Sequence, residues 1–324
     1  MVVIWGGIFG LQAFDSYMKG EFTVKGQRIG GSVGGMFGNP NDLATSLDML
    51  LPFAIVLFLM KKGPLRLIYL ACAVVIAMGV VVTFSRGGFL GLLALSAVML
   101  WKLGRSRRVT TIFAALAIVV VLSVAVPGGF GDRIGSVLDI DSDQTGSAQE
   151  RWALMQHTAN LALRNPVIGV GMGNIHIYSI RELVAHNAYL EVAAELGVLG
   201  LIAYLIVILA PMITLRRLER RTAKEPPGPG RDKFYMSIAI QAAIVAYMVC
   251  SFFSSIQYQW YVYYVAAYAV ALRRIHAAEE VEGAVNIVPA ESQVNVVQDV
   301  GKGGVLWNSA RVRKGILANP AEGR

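Results

Sequence analysis

Five uncharged or nearly uncharged runs, at residues 43–60, 67–85, 87–101, 109–126 and 196–215, and a longer one at 234–272, constrain this chain more than anything else in it. At 1.5 Å per residue, a helix of about 20 residues crosses the roughly 30 Å of hydrocarbon in a bilayer. Backbone polar groups in hydrocarbon must be satisfied within the segment, so runs of this kind become helices. The composition agrees: 55% of residues are hydrophobic, only 15% are charged, and mean hydropathy is +0.56. The expected fold is all-α, a polytopic membrane helix bundle of about seven or eight spans with one large external loop. Within 234–272 the polar, aromatic "SSIQYQW" marks an interfacial turn and splits the stretch into a helical hairpin. The first fourteen residues, apolar but without a basic leader or a small-residue cleavage site, read as a partial span rather than a signal peptide.

The formal net charge of +8 raises the question of nucleic acid, and the placement of the charge answers it. Basic residues cluster in short connections: Lys61, Lys62 and Arg66; Lys102, Arg105, Arg107 and Arg108; Arg216, Arg217, Arg220, Arg221 and Lys224; Arg273 and Arg274. The positive-inside rule puts these in the cytoplasm and the longer loops 15–42 and 127–187 outside. The charge therefore encodes topology, and no nucleic-acid partner is expected. Residues 1–278 read as the transmembrane domain and 279–324 as a polar, disordered cytoplasmic tail. Cys72 and Cys250 fall inside spans and report no disulfide framework.

In the large loop, "SAQERWALMQHTANLALRNPVIGVGMGN" reads as a helix from about Ser147, broken at Asn165-Pro166 and followed by a glycine-rich turn. "HNAYLEVAAELGVLGLIAYL" then begins another helix, with Glu191 and Glu195 one turn apart on the same face. Arg86, in "TFSRGGFLG", stands at the external end between two spans. It is either an arginine snorkelling to headgroups or a guanidinium fork for a phosphate or diphosphate. His186, at the mouth of a span, could titrate near neutrality, although a helix-start histidine is also common decoration. His157 and His176 share its loop without HxH or HxxxH spacing, so no metal is expected, and no cofactor either. Arg151, Arg164 and Arg181 alone fit a solvated helix face. Asn39, Asn41 and Asp42 cap the helix that carries Asp48, a carboxylate within a span that is either paired or a proton site.

Three ordered segments, "GMFGNPNDLA", "TFSRGGFLG" and the stretch from "ERW" through "NPVIGVGMGN" to "HNAYLEVAAELGVLG", resemble the bacterial O-antigen ligase and polysaccharide polymerase superfamily. The resemblance covers roughly residues 34–205. It implies a membrane glycosyltransferase that moves a glycan from an undecaprenyl diphosphate carrier to an acceptor hydroxyl, on the external face of the inner membrane. The acceptor is a glycan, a lipid or a protein, and neither metal nor nucleotide sugar is required. It further implies that Arg86 and Arg151 hold the diphosphate and that His186 orients or deprotonates the acceptor. Asn39, Asp42, Asn187, Glu191, Glu195 and Arg164 are supporting candidates. Members of the superfamily carry more N-terminal spans, so the chain is expected to be a short version or a fragment. Two other readings stand beside this one: a transporter of small anions using Arg86, and a non-catalytic partner in polysaccharide assembly.

Overall fold

The computed structural model describes residues 1–21, 29–31, 38–104, 147–179 and 183–287. Among these residues there are nine helices and no strand: α1 (Val2–Met18), α2 (Pro40–Met60), α3 (Leu65–Val82), α4 (Arg86–Leu103), α5 (Ser147–Arg164), α6 (Ile175–Tyr178), α7 (Ala188–Thr222), α8 (Pro229–Cys250) and α9 (Trp260–Ile287). The expected span at 109–126, Arg181 and the tail beyond 287 lie outside the described residues. The chain divides into two units, Met1–Arg273 and Arg274–Arg324. In the second, the described part is the end of α9, where His276 faces Glu280 one turn on.

Five helices, α2, α3, α4, α7 and α8, are long and apolar enough to cross a membrane. The chain is an all-α membrane bundle. The break expected within 234–272 is present, with α8 ending at Cys250 and α9 starting at Trp260. Helix α9 is not among the five; it opens with Trp260, Tyr261, Tyr263 and Tyr264 and carries Arg273 and Arg274.

Leu43, Leu47, Leu51 and Ile55 repeat every fourth residue along α2, and all are at most 1% exposed. That stripe joins Ile76 of α3, Leu95 and Met99 of α4 and Ile238 of α8 in one apolar cluster. A second cluster unites Tyr204, Ile208 and Leu215 of α7 with Tyr247 of α8 and Val262 and Val265 of α9. Helix α8 packs on α2, α4 and α7, and Ala239, Ala242, Ala243 and Ala246 on it are fully buried, which allows close helix approach.

Lys102, one of the charges read as topological, also has a structural role. Its ammonium pairs with Glu219 and also donates to Gln241 at 3.3 Å. The Gln241 amide donates to Glu219 at 2.8 Å. A charge so far inside the bundle persists only when paired and hydrogen-bonded.

At 35 residues α7 would measure about 52 Å, well beyond one bilayer crossing. It breaks at Gly197, where φ is +67°. The first turns, with Glu191 and Glu195, are thereby set off from the charge-free part that can span.

Candidate functional site at joined helix ends

Asn39 caps α2: its side chain accepts the Asn41 N–H at 2.9 Å, and Pro40 occupies the first helical position. Asp42 lies half-buried in the first turn. Helix α4 begins after a sharp turn in which Phe84 takes φ +53°. Ser85 caps it, accepting the Gly88 N–H at 3.1 Å, while its hydroxyl donates to Asn41 Oδ1 at 2.8 Å. One serine thus caps α4 and ties it to the start of α2. Ser85→Ala loses both bonds and is expected to cost about 1–2 kcal/mol, read as a lower unfolding temperature in detergent.

Arg86 is the first residue of α4 and is half-buried. The glycines after it admit close neighbours: a β-carbon on Gly88 would lie 2.5 Å from Ala44 Cβ, and one on Gly91 would lie 2.5 Å from Cys250 Sγ. The Cys250 thiol sits 3.5 Å from the Gly87 carbonyl and 3.6 Å from Asp48 Oδ2. Asp48 is fully buried, and its Oδ1 has no hydrogen-bond partner among the described residues.

The third helix end is that of α7. His186, half-buried, takes φ +53°, a left-handed conformation in which histidine is enriched among non-glycine residues. Asn187 follows as the cap, its side-chain oxygen accepting the N–H groups of Tyr189 and Leu190, each at 3.1 Å. The Ala188 N–H donates to the Ser251 carbonyl at 2.9 Å. Ser251 belongs to the α8–α9 connection, in which Phe253 backs directly onto Gly87. That connection therefore links the α4 end, with Arg86, to the α7 end, with His186.

Glu191 and Glu195 are both 1% exposed. Glu191 accepts from the Ser255 hydroxyl at 2.5 Å and the Gln257 amide at 2.8 Å. Glu195 accepts from the Ile175 N–H at 3.1 Å and from the Tyr258 hydroxyl. Burial, then the bond to Glu195, pushes the Tyr258 phenol well above its ordinary range, so it stays protonated as the donor. Ser255, Gln257 and Tyr258 were legible only as turn residues. Their signal was a polar cluster in an otherwise uncharged stretch, with two carboxylates elsewhere in need of donors.

Helix α5 packs on α7 through a face that includes buried Leu154 and Thr158. Arg151 stands one turn before them on that face and is half-buried, whereas Arg164 is exposed at the far end. The His157 ring nitrogen is 2.7 Å from the Tyr178 carbonyl, linking α5 to α6, and His176 is exposed. The glycine-rich turn after α5 crosses α7 at its kink. Val170 and Gly171 donate to the carbonyls of Ala194 and Glu195 at 3.0 and 2.8 Å, and Val198 donates to Pro166 at 2.7 Å. Hydrogen bonds and packing thus gather Asn39, Asp42, Arg86, His186, Asn187 and Glu191 at one end of the bundle. Glu195 ties the α5–α6 turn to that end, and Arg164 stands apart.

Residues 71–205 match the family described as O-antigen ligase. Over that stretch the chain is similar to O-antigen ligases. The matched stretch runs from α3 into α7 and contains Arg86, Arg151 and His186. The match supports O-antigen ligase-type glycan transfer in general terms, and the long apolar helices support a multi-pass membrane protein. No curated protein and no solved structure matches the chain.

Proposed function

We propose that this chain transfers a glycan from an undecaprenyl diphosphate carrier to an acceptor hydroxyl on the external face of the bacterial inner membrane. The observation that carries the proposal is the joining of three helix N-termini, those of α2, α4 and α7, with Arg86 opening one and His186 preceding the cap of another. The aligned peptide dipoles give helix N-termini a partial positive charge, a setting suited to a diphosphate. Arg86 and Arg151 hold that diphosphate through guanidinium forks and stabilise the charge that grows as it departs, which leaves no task for a metal. The acceptor oxygen bonds to the anomeric carbon as the bond from that carbon to the diphosphate oxygen breaks. The hydroxyl proton passes to the His186 imidazole. Asn39 and Asp42 form the rim, where they can meet sugar.

The orientation follows from the opposite ends of the same helices. Lys61 and Lys62 follow the C-terminus of α2, and Arg220 and Arg221 lie in the last turn of α7. With those ends in the cytoplasm, the Arg86 and His186 end faces outward. Residues 1–278 then form the membrane domain and 279–324 the cytoplasmic tail.

The test is transfer in proteoliposomes supplied with lipid-linked glycan and acceptor. The Arg86→Ala/His186→Ala double variant, inserted at normal levels, is expected to lose transfer; retained transfer would end the proposal. Deleting the gene sorts the acceptor class. Normal lipid-linked chains left unattached mean ligation, and single repeat units mean polymerisation.

A further inference from the structure

We propose that Glu191 is a positioning residue: it sets His186 against Arg86 by clamping the main chain, rather than by exchanging protons with the imidazole. This rests on the function proposed above. The carboxylate sits in the first turn of α7, the helix that His186 precedes, and takes its donors, Ser255 and Gln257, from the α8–α9 connection. The two residues that follow the histidine are fixed as well: Asn187 by the two N–H groups that its side chain caps, and Ala188 by Ser251.

Two of these anchors belong to one connection, Ser251 directly and Ser255 with Gln257 through Glu191. That connection is itself pinned. The Tyr247 hydroxyl donates to the Ile256 carbonyl at 3.2 Å and the Tyr263 hydroxyl to the Gln257 carbonyl at 2.9 Å. Phe253 of the same connection lies against Gly87, the residue after Arg86. The α8–α9 connection therefore meets both the start of α4, at Gly87, and the start of α7, through Ser251 and Glu191. The left-handed φ of His186 persists only where its surroundings over-determine it, and this clamp supplies that determination. A carboxylate suits the place because it accepts several donors without offering one. Glutamine would turn an N–H₂ toward Gln257 or Ser255.

The experiment compares the full-length protein with Glu191→Gln in proteoliposomes, with His186→Asn run in parallel. A misplacement of about 1 Å can cost on the order of 100-fold in rate. We therefore expect kcat to fall about 10- to 100-fold with donor KM within about threefold of normal, and the acid limb of the pH profile to stay where it was. An unchanged kcat overturns the proposal. So does a moved acid limb, which would make Glu191 a charge partner of the ring, and so does a change confined to KM. If Glu191→Gln does not insert, Ser255→Ala/Gln257→Leu removes the donors from the other side and must lower kcat with the same signature. An active His186→Asn protein would sink the functional reading itself. An inactive one beside a normal Glu191→Gln protein would sink only the clamp.

Discussion

His186→Asn lowers the rate of glycan transfer by about 10²- to 10⁴-fold, the usual worth of general-base assistance. Asparagine is the informative replacement, because it enters the left-handed region nearly as readily as histidine does, whereas alanine there adds a backbone cost of roughly 1–2 kcal/mol. The anchors of the turn, Asn187 on the Tyr189 and Leu190 N–H groups and Ser251 on the Ala188 N–H, do not involve the imidazole. Insertion and unfolding temperature should therefore stay near normal while turnover collapses. The measurement is initial transfer rate per inserted molecule. A rate within about twofold of the parent would remove His186 from the chemistry.

The second large effect concerns folding. Gly169 and Gly197 both have positive φ, +74° and +67°, and each faces the other strand of backbone at close range. A β-carbon on Gly169 would fall 2.3 Å from the Glu195 carbonyl carbon, and one on Gly197 would fall 2.2 Å from the Val167 carbonyl oxygen. The obstacles are main chain, which cannot rotate away. Alanine at either site is expected to cost roughly 2–5 kcal/mol, combining the left-handed penalty with overpacking. That is a large share of a typical stability of about 5–15 kcal/mol. Gly173→Ala is the control: its φ is +74°, but nothing lies within 4 Å of the added carbon. It should lose only the backbone part, about 1–2 kcal/mol. Thermal unfolding of the three variants in one detergent reads the difference. Equal losses at all three positions would mean that close packing at the crossing contributes nothing.

Much of this architecture is visible in local pattern, because a bilayer demands long apolar helices. The runs at 43–60, 67–85 and 87–101 appear as α2, α3 and α4, and the Asn165-Pro166 break ends α5 where the pre-proline restriction predicts. Asn187, named from the sequence only as a supporting candidate, caps α7. Interactions that join distant residues were not legible. Glu191 and Glu195 find their donors more than sixty positions away, at Ser255, Gln257 and Tyr258. No local period encodes that pairing. The pairing of Lys102 with Glu219 and Gln241, more than a hundred positions on, was likewise not legible. The tie from Ser85 to Asn41 spans forty-four positions, and no local pattern marks it.

The crossing of the Pro166–Gly171 turn over the broken start of α7 bears on how such proteins can be recombined. Six backbone groups there are paired between segments of different sequence. A chimera that imports residues 147–179 from another parent while keeping its own 188–200 keeps these main-chain bonds only if the incoming piece has glycine at position 169, where a β-carbon would strike the Glu195 main chain. Exchange should succeed when both pieces travel together.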